Sequence, residues 1–145
     1  MLVDDNNALQ ACFRVARVVA CDPVVFRGKK VLLVKRVFPP SAGEWCLPGG
    51  IMERNETCEE CVVRELREES GLIGKVKSLI GVYSTPQRDV RQTVAVGFLV
   101  EEVGGQFATS EETSAVEFFE LNALPKIAFD HAQVIEDASK LAGLK

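Results

Sequence analysis

The sequence predicts an α/β layered domain with a mixed β-sheet between helices. Three observations carry the prediction. Runs rich in Val, Leu, Ile and Phe recur along most of the chain and read as strands. One central segment, Thr57 to Ser70, has helix signals at both ends. A second helical pattern closes the chain beyond Pro125. Many strands with one central and one terminal helix form layers, because each apolar face needs another element to cover it.

Phe13 to Cys21, rich in Val and Ala, predicts the first strand. Val24 to Phe26 and Val31 to Lys35 flank Arg27-Gly28-Lys29-Lys30, which predicts a hairpin. Val37 to Glu44 contains Pro39, Pro40 and Gly43 and predicts a loop. In Trp45-Cys46-Leu47-Pro48-Gly49-Gly50 the paired glycines permit a turn or a close approach of backbone to a ligand. Thr57 with Glu60 three residues on makes a capping box, and Gly71 suits the left-handed position that ends a helix. Cys58, Val62 and Leu66 recur at helical spacing and form a stripe that can face a sheet. Lys75 to Ser84 and Gln92 to Glu101 predict two more strands, joined by Thr85 to Arg91. Gly104-Gly105 predicts a turn, and Val116 to Glu120 a short strand. In Phe129 to Leu141 the apolar residues fall at roughly helical spacing, with Asp130 as N-cap.

The 145 residues suffice for one domain with a real core, and no repeat, low-complexity segment or linker divides them, so a single domain over 1–145 is expected. Hydrophobic content of 47% and charged content of 26% are ordinary for a soluble globular chain. No apolar run approaches the roughly 20 residues a membrane helix needs, so no membrane partner is expected. The polar, acidic start Met1 to Asn7 does not read as a secretory leader, and the expected location is cytoplasmic. A net charge of -4 argues against nucleic acid as a partner. A phosphorylated small molecule stays open, because a bound metal can supply local positive charge. Five cysteines, an odd number, are expected as reduced thiols. Cys58-x-x-Cys61 has the spacing of a redox or half-zinc motif. With no second pair, and the only histidine, His131, far off in sequence, it reads as two small helix residues.

The chemistry is concentrated on the central helix. Glu65, Glu68 and Glu69 stand at i, i+3 and i+4, so a helix puts all three carboxylates on one face. Like charges at that spacing repel. A divalent cation, which prefers hard oxygen ligands, is the simplest reason to keep them. Arg64 can pair with a neighbouring carboxylate and hold its rotamer, and Glu56 can join the cluster if the preceding loop folds back. The acidic positions lie beside the apolar stripe, at the helix–sheet margin where a cleft can form.

Gly50 to Leu72 resembles the Nudix box, G-x5-E-x7-R-E-U-x-E-E-x-G-U, where U is a bulky apolar residue. Gly50 and Glu56 match its opening, Arg64, Glu65 and Leu66 its R-E-U, Glu68 and Glu69 its paired glutamates, and Gly71 and Leu72 its close. Every fixed position matches, a far more specific signal than a lone glycine motif. The chain is identified on this basis as similar to the Nudix hydrolases. The resemblance implies an α/β/α sandwich with the box as loop–helix–loop. It implies hydrolysis of a nucleoside diphosphate linked to another moiety, with Mg²⁺ or Mn²⁺ as cofactor. By position Gly50, Glu65, Glu68 and Glu69 would be metal ligands, Gly50 through its carbonyl, with one glutamate orienting the water and Arg64 an orienting ion-pair partner. Many members add an acidic residue from a loop outside the box. Glu112 falls where that residue would, with Glu111 as its rival. Many members also dimerise, so a homodimer is among the states implied, though no feature of the sequence decides it.

Tyr83-Ser84-Thr85-Pro86-Gln87-Arg88-Asp89-Val90-Arg91 resembles a segment of ADP-ribose pyrophosphatases, and the stretch around Phe129-Asp130-His131 resembles their tail. The resemblance implies that Pro86, Arg88 and Arg91 bind substrate. Guanidinium groups suit phosphate oxygens, which accept two donors at once. ADP-ribose would then yield AMP and ribose 5-phosphate. The usual glycine and histidine after the last arginine are replaced by Gln92 and Thr93. His131 reads as a structural residue at a helix start rather than a base. Rival readings are a nucleoside triphosphate pyrophosphohydrolase acting on oxidised nucleotides, a dinucleoside polyphosphate hydrolase, and a non-catalytic ADP-ribose sensor.

Overall fold

The computed structural model describes residues 7, 8, 11 and 15–145. Its strands are β1 (Val19–Val24), β2 (Phe26–Arg27), β3 (Lys30–Arg36), β4 (Trp45–Cys46), β5 (Gly50–Ile51), β6 (Leu72–Tyr83), β7 (Val94–Gly105) and β8 (Thr113–Glu120). The helices are α1 (Cys58–Ser70) and α2 (His131–Leu141), with a 3₁₀ turn at Pro86–Arg88. The mixed sheet runs β5-β1-β7-β6, with β1 parallel to β7 and antiparallel to β5. A second, antiparallel sheet is built on β3, which pairs with β2, β4 and β8.

Side-chain alternation shows how the layers stack. Cys21 and Val25 on and after β1, and Leu32 on β3, join Val62 and Leu66 of α1 in one core. Their neighbours Val24, Val31 and Leu33 join Val134, Ile135 and Ala138 of α2 in another. Successive strand residues point to opposite faces, so the strands lie between two helices, the expected α/β/α order. Cys21 to Val24 and Val31 to Val34 are accordingly buried without a break. Each fully buried Val or Leu contributes about 1.5–3 kcal/mol.

Local signals and structure agree best at α1. The Thr57 side chain accepts from the Glu60 N–H and the Glu60 side chain from the Thr57 N–H. Gly71 ends the helix at φ 80°, and a Cβ there would lie 2.0 Å from the Gln106 carbonyl oxygen. Two of the last carbonyls are taken by distant groups: Thr113 Oγ1 donates to Glu69 O (2.9 Å) and the Ala108 N–H to Ser70 O (2.9 Å). The acidic helix is thereby tied at its C-terminus to the start of β8.

Several boundaries differ from expectation. The first strand starts at Val19, where pairing with Val94 begins, and Val15 is helical. Cys12, Phe13, Arg14 and the acidic start Met1 to Asn6 lie outside the described residues. β6 begins directly at Leu72, and β7 runs on through Gly104 and Gly105, which pair with Ile73 and Leu72 instead of turning. β8 starts at Thr113, because its ladder with β3 extends to Arg36. Asp130 occupies the N-cap of α2 but makes no side-chain cap bond. Its carboxylate is held by Arg88.

Candidate active site

The carboxylates of α1 meet the glycine loop under the helix. Glu65 and Glu69 are each 7% exposed, whereas the Glu68 side chain is 56% exposed. The Gly49 N–H donates to Glu69 Oε2 (2.9 Å). A Cβ on Gly50 would lie 2.5 Å from the Glu65 carboxyl carbon, and one on Gly49 would lie 2.0 Å from Asp22 Oδ1. The two glycines are needed here because backbone touches carboxylates where any side chain would intrude.

Arg64 locks this arrangement. Its Nε and Nη2 donate to Glu56 (2.9 and 2.6 Å), its Nη1 to Glu65 (2.7 Å) and Glu68 (3.1 Å), and Nη2 also to Ile51 O (3.2 Å). All five donors are engaged, so it acts as a clamp on protein groups. It holds the Glu56 carboxyl down to about 2. Burial pushes Glu65 up to about 7 against the pull of Arg64, and Glu68 and Glu112 add to the rise. Burial also lifts Glu69 well above the carboxylate range, opposed by the Gly49 N–H and reinforced by Glu65, Glu112 and Asp22. Carboxylates are crowded into one desolvated corner with a single shared guanidinium.

Such a donor set fits a hard divalent cation, being all oxygen and short of positive charge. The side chains are not gathered round an ion as they stand: among the described residues no three His, Cys, Asp or Glu groups form a ready cage. Arg64, reaching Glu56, Glu65 and Glu68 together, occupies the space between them.

A cleft of about 920 Å³ opens over these groups. Glu112 lines it and Glu111 does not, which separates the two rivals. Arg88 also lines the cleft and is buried, its side chain 3% exposed. Its Nε and Nη2 grip Asp130 (2.9 and 2.8 Å) and its Nη1 donates to Thr93 Oγ1 (2.8 Å) and Thr93 O (3.3 Å). Four of its five donors are therefore engaged within the fold. Arg91 is paired with Asp89 (Nη2–Oδ2 2.7 Å) and lies over the Phe129 ring at 5.7 Å. Burial works against Asp89 ionising, but Arg91 outweighs it and holds the carboxyl below its ordinary value. Thr93 Oγ1 also donates to Asp89 (3.0 Å), so this departure from the family pattern serves as the hub of the two arginine pairs. Pro86 is exposed, starts the 3₁₀ turn and does not line the cleft.

The sequence reading gave no site role to three cleft residues. Arg36, at the end of β3, donates through Nε to Pro40 O (2.7 Å) and lies over the Phe129 ring at 5.2 Å. Phe129 holds φ 57°, uncommon for a bulky residue, and its ring centroid lies 5.2 Å from that of His131. Asp22 is buried beside His131 Nε2 (3.4 Å). A charged residue inside an apolar strand was a readable signal for Asp22; Arg36 carried none. His131 accepts the Leu47 N–H at Nδ1 (3.0 Å), which fixes the neutral ring and gives it the structural role expected. Asp22 favours a second proton there, but taking it would break the Leu47 bond.

A NUDIX domain model matches residues 16–138. The ADP-ribose pyrophosphatase of Methanocaldococcus jannaschii is 48% identical over 120 residues, covering 82% of this chain and 71% of that protein. A MutT-like protein of Streptomyces ambofaciens is 39% identical over 93 residues, 64% of this chain and 56% of its own length. Among solved structures, an ADP-ribose pyrophosphatase from Streptococcus suis superposes with a TM-score of 0.74 at 26% identity, covering 90% of this chain and 93% of that one. The NUDIX domain of Shewanella oneidensis NrtR, complexed with ADP ribose, gives 0.79 at 26% identity, with 97% and 99% covered. With the box intact from Gly50 to Leu72 and the domain model spanning most of its length, the chain belongs to the Nudix hydrolase family.

Proposed function

We propose that this chain hydrolyses the pyrophosphate linkage of ADP-ribose, releasing AMP and ribose 5-phosphate. The observation that carries the reading is the buried Glu65–Glu69 pair, pressed against Gly49 and Gly50 in a cleft that Arg36 also lines. The 48% identity to an ADP-ribose pyrophosphatase supports the choice of substrate. Hydrolases of this family use divalent metal ions, and Mg²⁺ or Mn²⁺ suits the oxygen donors of Glu65, Glu68, Glu69 and the Gly50 carbonyl. When bound, the ion neutralises phosphate charge and acidifies a water.

The chain's own residues do the rest. Arg64 keeps the Glu65 carboxylate in one rotamer, and the Gly49 N–H does so for Glu69. Glu112 lines the cleft and is the group we assign to accept the proton of the attacking water. The water oxygen forms a bond to one phosphorus as that phosphorus loses its bridging oxygen, which leaves with the other phosphate. Arg36 offers Nη donors to a phosphate oxygen, since only its Nε is hydrogen bonded among the described residues. Arg88 and Arg91, gripped by Asp130 and Asp89, shape the wall and add positive potential.

Among the described residues no helix is long and apolar enough to cross a membrane. Among the described residues the four cysteines are free thiols, which accords with the cytoplasmic location we assign. Incubation of the purified chain with ADP-ribose, a nucleoside triphosphate, its oxidised form and a dinucleoside polyphosphate, each with Mg²⁺ or Mn²⁺, tests the reading. ADP-ribose is expected to be turned over fastest, with AMP and ribose 5-phosphate in equal amounts. Faster turnover of a triphosphate, or binding of ADP-ribose without hydrolysis, would refute it.

A further inference from the structure

Four sulfur atoms meet beneath the N-terminus of α1. Cys58 is the first helical residue and Cys61 stands one turn on. Cys58 Sγ contacts Met52 Sδ (3.7 Å), and Cys21 of β1 packs in the same cluster as Cys58, Cys61 and Met52. Cys61 Sγ lies 3.8 Å from the Gly50 carbonyl oxygen, to which it donates, and 3.7 Å from Arg64 Nη2. Cys21 and Cys61 are 0% exposed, whereas Cys58 is half-buried and reachable from solvent. The cluster thus has one open thiol backed by an enclosed one three residues along the same helix.

We propose that Cys58 and Cys61 form a reversible disulfide by exchange with a low-molecular-weight disulfide, and that this oxidation lowers turnover. Cys58 sulfur attacks one sulfur of the small disulfide, forming a mixed disulfide and releasing one small thiol. Cys61 sulfur then attacks Cys58 sulfur, forming the Cys58–Cys61 bond and releasing the second small thiol. The two protein thiols lose two electrons in all, the small disulfide gains them, and the thiol protons end on the two released thiols. Positions i and i+3 of a helix bring Cβ atoms to about 5–6 Å, and a disulfide needs about 3.8 Å. Closing that gap tightens the first turn against the Thr57–Glu60 capping box and the bond from Cys61 N–H to Thr57 O (2.9 Å).

The link to the reaction runs through Gly50. A disulfide has no S–H, so the Gly50 carbonyl loses its donor and Cys61 Sγ swings towards Cys58, away from Arg64. Gly50 backs directly on Glu65, where a small misplacement of a reacting group costs rate. The effect on turnover rests on the proposed ADP-ribose hydrolysis; formation of the disulfide does not.

Oxidised glutathione, titrated against the reduced form, is the probe. After alkylation and trypsin digestion of the full chain, the peptide spanning 55–64 is expected unalkylated and two hydrogens lighter. Its kcat for ADP-ribose is expected to fall about tenfold and to recover with dithiothreitol. C61S should stop at a glutathione adduct on Cys58, and C58S should keep full activity and lose the response. A glutathione adduct that persists on the unsubstituted protein, a crosslink to Cys21, or no reaction at Cys58 overturns the proposal. A mapped disulfide with unchanged kcat overturns its regulatory half. Failure of the reduced protein to hydrolyse ADP-ribose sinks the proposed function and leaves the disulfide mapping untouched.

Discussion

Replacing Gly50 by alanine adds one methyl group at the point where backbone meets the buried carboxylate of Glu65. That Cβ would lie 2.5 Å from the carboxyl carbon and 2.5 and 2.6 Å from its oxygens. An ordinary contact starts near 3.4 Å, so the carboxylate must retreat by about 0.9 Å. It cannot retreat freely, because Arg64 holds it at 2.7 Å and is itself fixed by two bonds to Glu56. Displacement of a reacting group by about 1 Å costs on the order of 10²-fold in rate. Gly50 sits on a strand with an ordinary backbone conformation, and Ala for Gly in a strand gains about 0.5–1 kcal/mol, which offsets part of the crowding. Steady-state kinetics with ADP-ribose beside thermal unfolding should therefore show G50A with kcat down about 10²-fold and Tm within a few degrees of the unsubstituted chain. Near-normal kcat would refute the tight Gly50–Glu65 fit. A large fall in Tm would show that the loss came from unfolding instead.

Arg88→Ala leaves the Asp130 carboxylate without its guanidinium and removes a donor from Thr93, and should destabilise by about 3 kcal/mol, lowering Tm by about 6–12 °C. A calorimetric scan with Tm unchanged and KM raised would instead make Arg88 a substrate ligand. Arg36→Ala should raise KM for ADP-ribose about tenfold or more with little change in Tm; an unchanged KM would remove Arg36 from substrate recognition. The Glu56 carboxyl titrates at about 2 in the folded chain, below its ordinary 4.5, so its bond to Arg64 stabilises above pH 4.5 and that gain is lost as pH falls from 4.5 towards 2. Urea unfolding should find E56Q weaker by about 1–2 kcal/mol at pH 7, with the gap closing near pH 2. A gap independent of pH would mean that the ion pair is not its source.

What could be read in advance was local. α1 was legible because its capping box, apolar stripe and closing glycine act within a few residues of one another. The shared face of Glu65, Glu68 and Glu69 follows from helical period alone, and so does the burial of Val62 and Leu66. Gly104 and Gly105 misled because a glycine pair favours a turn locally, while pairing with Leu72 and Ile73, over thirty residues earlier, carries β7 straight through them. Asp130 likewise suits a helix cap by residue type, but its carboxylate meets Arg88 across 42 residues of chain.

The same division runs through the site. Sequence alone determined which residues are candidates for the chemistry, since the box spacing sets carboxylates, clamp and glycines in order along one loop and helix. Only the tertiary structure decided which charges remain available in the cleft. Arg88 and Arg91, expected at the substrate, are drawn to Asp130 and Asp89, while Arg36 projects into the cleft over Phe129. Ion pairing and desolvation depend on distance through space, and strand register with loop closure sets those distances between residues that no local spacing connects.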